Sequence, residues 1–296
     1  LRDKSILVTG ANKGIGLAIV KAILAANDRV TVLLGSRDPD RGSAAREGLI
    51  ENHPEWSGRL RVLALDVADD ASVERAAAEV ASMYPEDTSP LYAVVNNAGI
   101  GAGEGDMRTV LNVNVYGVRR VCERFIPLLD QGSGRIVNLA SASGPMFLSA
   151  CSADVQASLT RPDVTWADVE RTINQCLALD AAGGDFAAQG FGGGSCYGLS
   201  KACVNAYTIS LARSHPGLRI NACTPGYIET DMTRPFAAAE GRSPAELGMK
   251  PAAAGAIAPL HLLFGDVGTG WYYGSDALRS PLDRYRGPGD PPYDGH

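Results

Sequence analysis

Apolar residues in this chain gather in short runs that alternate with amphipathic stretches. "KSILVTG" (4 to 10) is an apolar run ending in glycine, and "LAIVKAILAA" (17 to 26) then places Ile19, Ile23 and Leu24 at helical spacing. A strand followed by a helix is the prediction. The unit recurs as "RVTVLLGS" with "GSAAREGLIENH", "RLRVLALD" with "ASVERAAAEVASMY" and "LYAVVNNAG" with "VLNVNVYGVRRVCERFIPLL", while "RIVNLAS" and "LRINACTPG" add two further runs. They are rich in Val, Ile and Leu without clean polar alternation, as strands covered on both faces require. The alternation predicts an α/β fold, a doubly wound parallel sheet of the Rossmann type with right-handed crossovers, formed by residues 1–296 as a single domain.

Two regions break the rhythm. Residues 145–195 hold no strand candidate, but Thr165 and Asp168 match a capping box, and Trp166, Val169, Ile173, Cys176 and Leu177 follow as an apolar stripe. A helical insertion is expected there. From 274 to 296 the tail "GSDALRSPLDRYRGPGDPPYDGH" is dense in Gly and Pro, which predicts an extended end without regular structure.

Composition narrows the function classes. The net charge is -6 and the basic residues are scattered, so neither nucleic acid nor an anionic membrane is an expected partner. No apolar run approaches the roughly 20 residues of a membrane span, and "LRDKSILVTG" is no signal peptide, so the expectation is a cytoplasmic protein. Cys122, Cys151, Cys176, Cys196, Cys203 and Cys223 form no CxxC pair and no His/Cys cluster. They read as reduced, mostly buried thiols, with no metal site.

Candidate chemistry begins at "TGANKGIG". Gly10, Gly14 and Gly16 fall between the first strand and its helix, where the backbone can turn tightly and approach a pyrophosphate at a helix N-terminus. The spacing is GxxxGxG rather than GxGxxG, and a glycine-rich turn without a ligand has the same letters. A ribose-binding carboxylate is expected about 20 residues on, at the end of the second strand. That place holds Ser36, with Arg37 next. The missing carboxylate and the Arg37 fork, with Lys13 as a second cation, favour the 2′-phosphate of NADP(H), unless both side chains are merely solvated. Tyr197 and Lys201 lie one helical turn apart in "GGGSCYGLSK", a spacing that equally describes a solvated helix face.

In order along the chain stand TGxxxGIG (9 to 16), Asp66 after the third run, "NNAG" (96 to 99), "NVNVYG" around Asn114, "VNLASASG" with Ser141, YxxxK (197 to 201) and "NACTPGYIETDM" (221 to 232). This series resembles the classical short-chain dehydrogenase/reductase family over roughly residues 4 to 232. Within the family it is most similar to the monomeric NADPH-dependent carbonyl reductases, which share the basic turn "SRDPDRG" and a long insertion before the tyrosine.

The resemblance implies roles. Tyr197 would be the general acid that protonates a carbonyl oxygen as hydride arrives. A phenol near pKa 10 suits neutral pH poorly, and a Lys201 charge at about 4 Å in an effective dielectric of 20 would favour the phenolate by about 4 kcal/mol. Lys201 would also hold the nicotinamide ribose. Ser141, three residues before Gly144, would orient the carbonyl, with Ser143 as its competitor. Asn114 would bind a water beside Lys201, or be a helix-interior Asn bonded locally. Gly10, Asn12, Lys13, Gly14, Ile15, Gly16 and Arg37 would hold the phosphates. Asp66, Val67, Asn97, Ala98 and Gly99, together with Asn96, would surround the adenosine, and Pro225, Gly226, Ile228 and Thr230 the nicotinamide.

Ser141 and Tyr197 are separated by 55 residues, more than in most of the family. The resemblance implies that this insertion covers the pairing helices and leaves a monomer. Phe147, the stretch Phe191 to Cys196 and the loop from Tyr227 to Met249 should line a mostly apolar substrate site, suited to aldehydes, ketones or quinones, although Arg234 and Lys250 add charge. Cys196 is either a reactive thiol or a packing residue. Two other readings stay open: an alcohol or steroid dehydrogenase working oxidatively, and an NADP(H)-binding regulator without turnover.

Overall fold

The computed structural model describes residues 4–295. Six strands form where the apolar runs predict them: β1 (Lys4–Val8), β2 (Val30–Ser36), β3 (Leu60–Ala64), β4 (Leu91–Asn96), β5 (Arg135–Leu139) and β6 (Arg219–Cys223). A seventh, β7 (Tyr272–Tyr273), pairs with Ala222 and Cys223 and is too short to leave a periodic signal. All neighbours are parallel, in the order β3-β2-β1-β4-β5-β6-β7. Leu7, Leu33, Leu63, Val94 and Ile136 point to one core, while Ile6, Val8, Val32, Leu34 and Val95 point to the other. Burial on both faces is why the runs lack polar alternation.

Helices α1 (Gly14–Ala26), α2 (Pro39–Asn52) and α10 (Ile257–Phe264) supply Ile19, Ile23, Leu49 and Leu262 to the second core. The first core is closed by α3 (Asp70–Met83), α4 (Met107–Leu111), α5 (Gly117–Phe125) and α9 (Cys196–Ser214), with a π-turn at Asn112–Tyr116 joining α4 to α5.

The insertion is helical, as expected: α6 (Ser143–Ser149), α7 (Ala153–Thr160) and α8 (Trp166–Ala181). Thr165 Oγ1 accepts from the Asp168 amide and the Asp168 carboxylate accepts from the Thr165 amide, so the capping box forms. Val169, Ile173 and Cys176 are fully buried, and Trp166 meets Tyr116 and Tyr207 edge-on at 5.6 and 5.5 Å between ring centres. All three helices pack on α9.

Two of the glycines before α9, Gly192 and Gly194, are close-packed against Ala150 and Phe186. Gly194 has φ +69°, and a Cβ there would stand 2.8 Å from the Phe186 ring. Gly194→Ala should therefore cost about 2 kcal/mol or more through left-handed strain and overpacking. A thermal midpoint equal to that of the unsubstituted protein would show that the loop yields freely.

Candidate active site

Where the strand order reverses, between β1 and β4, a cleft of about 820 Å³ opens at the carboxyl ends of the strands. Every residue proposed from sequence for the cofactor except Asn96 lines it, from Gly10, Asn12, Lys13, Gly14, Ile15 and Gly16 through Arg37, Asp66, Val67, Asn97, Ala98 and Gly99 to Pro225, Gly226, Ile228 and Thr230. The turn after β1 rests directly on the end of β4. Gly10 has φ +61°, and a Cβ would sit 2.9 Å from Ala98 Cα. Asn97 Nδ2 donates to the carbonyls of Thr9 and Gly10, and Thr9 Oγ1 accepts from the amides of Asn97 and Ala98, so the two turns form one unit. No side chain caps α1 and no acid stands in its first turn, which leaves its leading amides and dipole for an anion.

At the far end of the cleft Ser36 is buried and donates to the Asp38 carbonyl, so no carboxylate occupies the end of β2. Arg37 lines the cleft together with Arg41, which pairs with Asp38 at 3.2 Å. Lys13 departs from expectation. Its ammonium bonds Asp231 on the loop after β6 at 2.6 Å, because that loop brings a carboxylate over the glycine turn. Both side chains are more than half exposed, so the pair is worth at most about 1 kcal/mol and is readily exchanged for a phosphate. Asp66 accepts from the Ala68 amide, which fixes the turn after β3.

The other end of the cleft forms where α9 crosses β5. Ser195 caps α9 at the Gly198 amide, and Tyr197 and Lys201 then face the cleft on successive turns. Lys201 Nζ donates to the Leu139 carbonyl at 2.9 Å and lies 5.5 Å from the centre of the Tyr197 ring. Ser141, just beyond β5, lines the cleft with Tyr197, near enough for its hydroxyl to favour the phenolate. Its competitor Ser143 lies 3.2 Å from Ser141 Oγ but faces a separate cavity of about 290 Å³ with Met146, Phe147, Ala150, Gly193 and Ser195. The fold thus brings Ser141, and not Ser143, to the tyrosine.

Asn114 is buried in the π-turn, which re-aims its amide. Oδ1 accepts from the Ile100 amide, and Nδ2 donates to the Ile100 carbonyl and Ser200 Oγ. A Cβ on Gly99 would stand 3.1 Å from Asn114 Oδ1 and 3.6 Å from Lys201 Nζ. Asn114 is thus bonded to residues 14 and 86 positions away rather than within its own helix, and is a neighbour of the lysine.

The electrostatics correct one expectation. Lys201 is buried, and desolvation pulls its ammonium down to about 8. Burial likewise pushes the Tyr197 phenol up; the nearby Ser141 hydroxyl works against this and the Glu104 carboxylate adds to it. Leaving water penalises the charged form of each group, so the protein alone does not hold the phenol below its ordinary value. Lys201 carries its charge below about pH 8.

Three other expectations change. Asn96 turns into the core, donating to Asn138 Oδ1 and Cys122 Sγ, because strand alternation sends it away from the cleft. Phe191 is a core residue, and Phe147, Gly193 and Ser195 line the separate cavity rather than the cleft. Burial pushes the Cys196 thiol up, which makes it a packing residue rather than a reactive one. The five other cysteines are buried and all six are free. Sequence reasoning passed over Arg41 and Glu104, which also line the cleft. The i,i+4 spacing from Arg37 signals the first; nothing local signals the second.

The residues present fit a nicotinamide dinucleotide: a Cβ-free cradle at Gly10, uncapped amides on α1, and a cleft continuous from Arg37 to Tyr197. Comparison with known proteins agrees. A sequence model of the family described as short chain dehydrogenase matches residues 4–153 and 184–241, leaving out most of α7 and α8. The chain is 34% identical over 278 residues to (+)-neomenthol dehydrogenase of Arabidopsis thaliana, covering 83% of this chain and 91% of that protein. It is 31% identical over 246 residues to carbonyl reductase (NADPH) 1 of Homo sapiens, covering 78% and 84%. Its structure is similar to that of menthone neomenthol reductase from Mentha piperita, with a TM-score of 0.73 at 28% identity over 93% of this chain and 99% of the other. Salutaridine reductase from Papaver somniferum gives 0.74 at 26% identity over 91% and 99%. With its Ser141, Tyr197 and Lys201 gathered at one end of a dinucleotide-shaped cleft, this chain belongs to the short chain dehydrogenase family of oxidoreductases.

Proposed function

We propose that the protein is an NADPH-dependent carbonyl reductase that converts small neutral aldehydes, ketones or quinones to alcohols. The observation that carries this reading is the convergence of Ser141, Tyr197 and Lys201 at one end of a cleft whose other end offers Arg37 and no carboxylate on β2. When bound, NADPH supplies the hydride that reduces the carbonyl carbon. Tyr197 Oη gives its proton to the carbonyl oxygen, and Ser141 Oγ holds that oxygen by a hydrogen bond. Lys201 stabilises the phenolate left behind and binds the ribose hydroxyls. Asn114, beside Lys201 across Gly99, holds the water through which the proton returns.

Charge around the site favours neutral substrates. Arg234 is neutralised by Glu229 at 3.0 Å and Asp231 at 2.9 Å, and Glu104 lies at the catalytic end, where it repels carboxylates. The covering of α9 and α4 by the insertion supports a monomer. No helix among the described residues is long and apolar enough to cross a membrane, which is compatible with a cytoplasmic place of action.

Loss of NADPH absorbance with a panel of quinones, aldehydes and ketones tests the reading. Tight NADPH binding without turnover of any of them would favour a regulator instead. Turnover confined to NADP⁺ with alcohols would favour the oxidative direction, which the dehydrogenase name of one relative recommends as the second reading. Arg37→Asp should raise the KM for NADPH by about tenfold or more while changing that for NADH little, since it replaces a phosphate-pairing fork with a repelling carboxylate. Equal changes for both cofactors would remove Arg37 from 2′-phosphate recognition.

A further inference from the structure

The C-terminal tail holds a group that no step above uses. Arg286 is 8% exposed, and each of its five N–H donors has an acceptor. Nη1 and Nη2 form a two-pronged pair with the Asp276 carboxylate at 3.0 and 2.8 Å. Nη2 also donates to the Asp290 carbonyl, Nε to the Pro291 carbonyl at 2.8 Å, and Nη1 to Ser280 Oγ at 3.5 Å. Asp276 Oδ2 in addition accepts from the Gly289 amide. An arginine buried and fully satisfied in this way makes its loop rigid, since losing either partner strands a charge in a low dielectric.

The rigidity has a direction. Asp276 follows Ser275, and Ser275 is pressed against Gly226, where φ is +93° and a Cβ would stand 3.0 Å from Ser275 Cβ. β7 is tied to the same turn, with the Thr224 amide donating to the Tyr273 carbonyl and the Ser280 amide to that of Tyr272. Pro225 and Gly226 line the cleft at the end proposed for the nicotinamide. A continuous strut therefore runs from Arg286 through Asp276 and Ser275 to the Gly226 turn.

We propose that Arg286 is a positioning residue for the nicotinamide half of the cofactor, acting through Asp276 and Ser275 on the Pro225–Gly226 turn. The inference rests on the reading of the cleft as a dinucleotide site. It makes the tail part of the binding apparatus rather than a loose end. Arg286 touches neither cofactor nor substrate, so its loss acts on one half of the cleft and leaves the other intact.

The test is calorimetric binding of NADPH and of adenosine 2′,5′-bisphosphate, which fills the Arg37 and Asp66 end alone. Arg286→Met should weaken NADPH binding about tenfold and leave the bisphosphate unchanged within about twofold, and Arg286→Lys should recover part of the loss. Ser275→Gly, which keeps the clasp but removes the buttress, should show the same selective loss on a smaller scale. It serves as the decisive variant where Arg286→Met does not fold. Unchanged NADPH affinity in a folded Arg286→Met or in Ser275→Gly overturns the proposal, as does an equal loss of both ligands, which a merely structural role would give. Failure of the unsubstituted protein to bind either ligand would instead overturn the reading of the cleft.

Discussion

Tyr197→Phe is expected to lower kcat for carbonyl reduction by about a thousandfold while NADPH still binds. The substitution removes one oxygen and keeps the ring, so the wall of the cleft and the packing of α9 survive. What disappears is the proposed proton donor to the carbonyl oxygen. Ser141 can still orient the carbonyl, but an aliphatic hydroxyl is a far weaker acid than a phenol, so it does not take over. Steady-state kinetics with the best substrate of the panel, alongside NADPH binding by fluorescence, checks this. A variant that retains more than a tenth of the activity would remove Tyr197 as the acid, and with it the proposed mechanism.

Lys201→Met should produce the second-largest effect, and it should act in opposite directions on activity and stability. A unit charge 5.5 Å from the tyrosine ring centre in an effective dielectric of 20 is worth about 3 kcal/mol, so its removal should lower kcat roughly a hundredfold. The same charge burdens the fold. An ammonium pulled from its ordinary 10.5 to about 8 costs the folded protein roughly 3 kcal/mol wherever both states are protonated, which includes pH 7. The unfolded chain binds the extra proton between about pH 8 and 10.5, so the penalty lifts as pH rises through that window. Met fills the same space without charge but leaves the Leu139 carbonyl without its donor, which returns about 1 kcal/mol. At pH 7 the variant should be more stable by about 2 kcal/mol, and its advantage should shrink above pH 8. Denaturant unfolding at pH 7 and pH 10 decides the matter. A variant less stable at pH 7, or an advantage that does not change with pH, would show that Lys201 is accommodated without cost.

Both expectations start from residues that local sequence could nominate but not connect. The YxxxK spacing places Tyr197 and Lys201 on one helical face, and the apolar runs place Ser141 after a strand. Neither says that the 55 residues between Ser141 and Tyr197 fold back as three helices on α9 and return the pair to the same cleft. The capping box at Thr165 was legible because it needs only residues within one turn. The role of Gly190, Gly192 and Gly194 was not. Their left-handed turns are visible as composition, but the Ser152, Ala150 and Phe186 contacts that hold them, in that order, come from elsewhere in the chain.

Electrostatics divides along the same line. Ser36 and Arg37 show their chemistry at the end of a strand, so the missing ribose carboxylate is readable from position alone. Lys13 is not, because its partner Asp231 lies 218 residues away and arrives only when the loop after β6 folds over the glycine turn. The same holds for Tyr197, whose phenol is pushed up because burial, which spacing does not measure, outweighs the nearby Ser141 hydroxyl. Glu104 reaches the catalytic end from a loop that carries no signal of its own.

By itself the sequence determined the elements whose causes are local: the alternating strands and helices, the glycine turn at Gly10 to Gly16, the capped insertion helix, and the Tyr197 and Lys201 register. These follow from periodicity and backbone geometry, which act within a few residues. Tertiary structure alone decided which serine meets the tyrosine, how far desolvation moves Lys201, and that the proline-rich tail folds back through Arg286 and Asp276 onto the Gly226 turn. Burial and long-range contact set these, and both exist only once residues far apart in the chain share the same space.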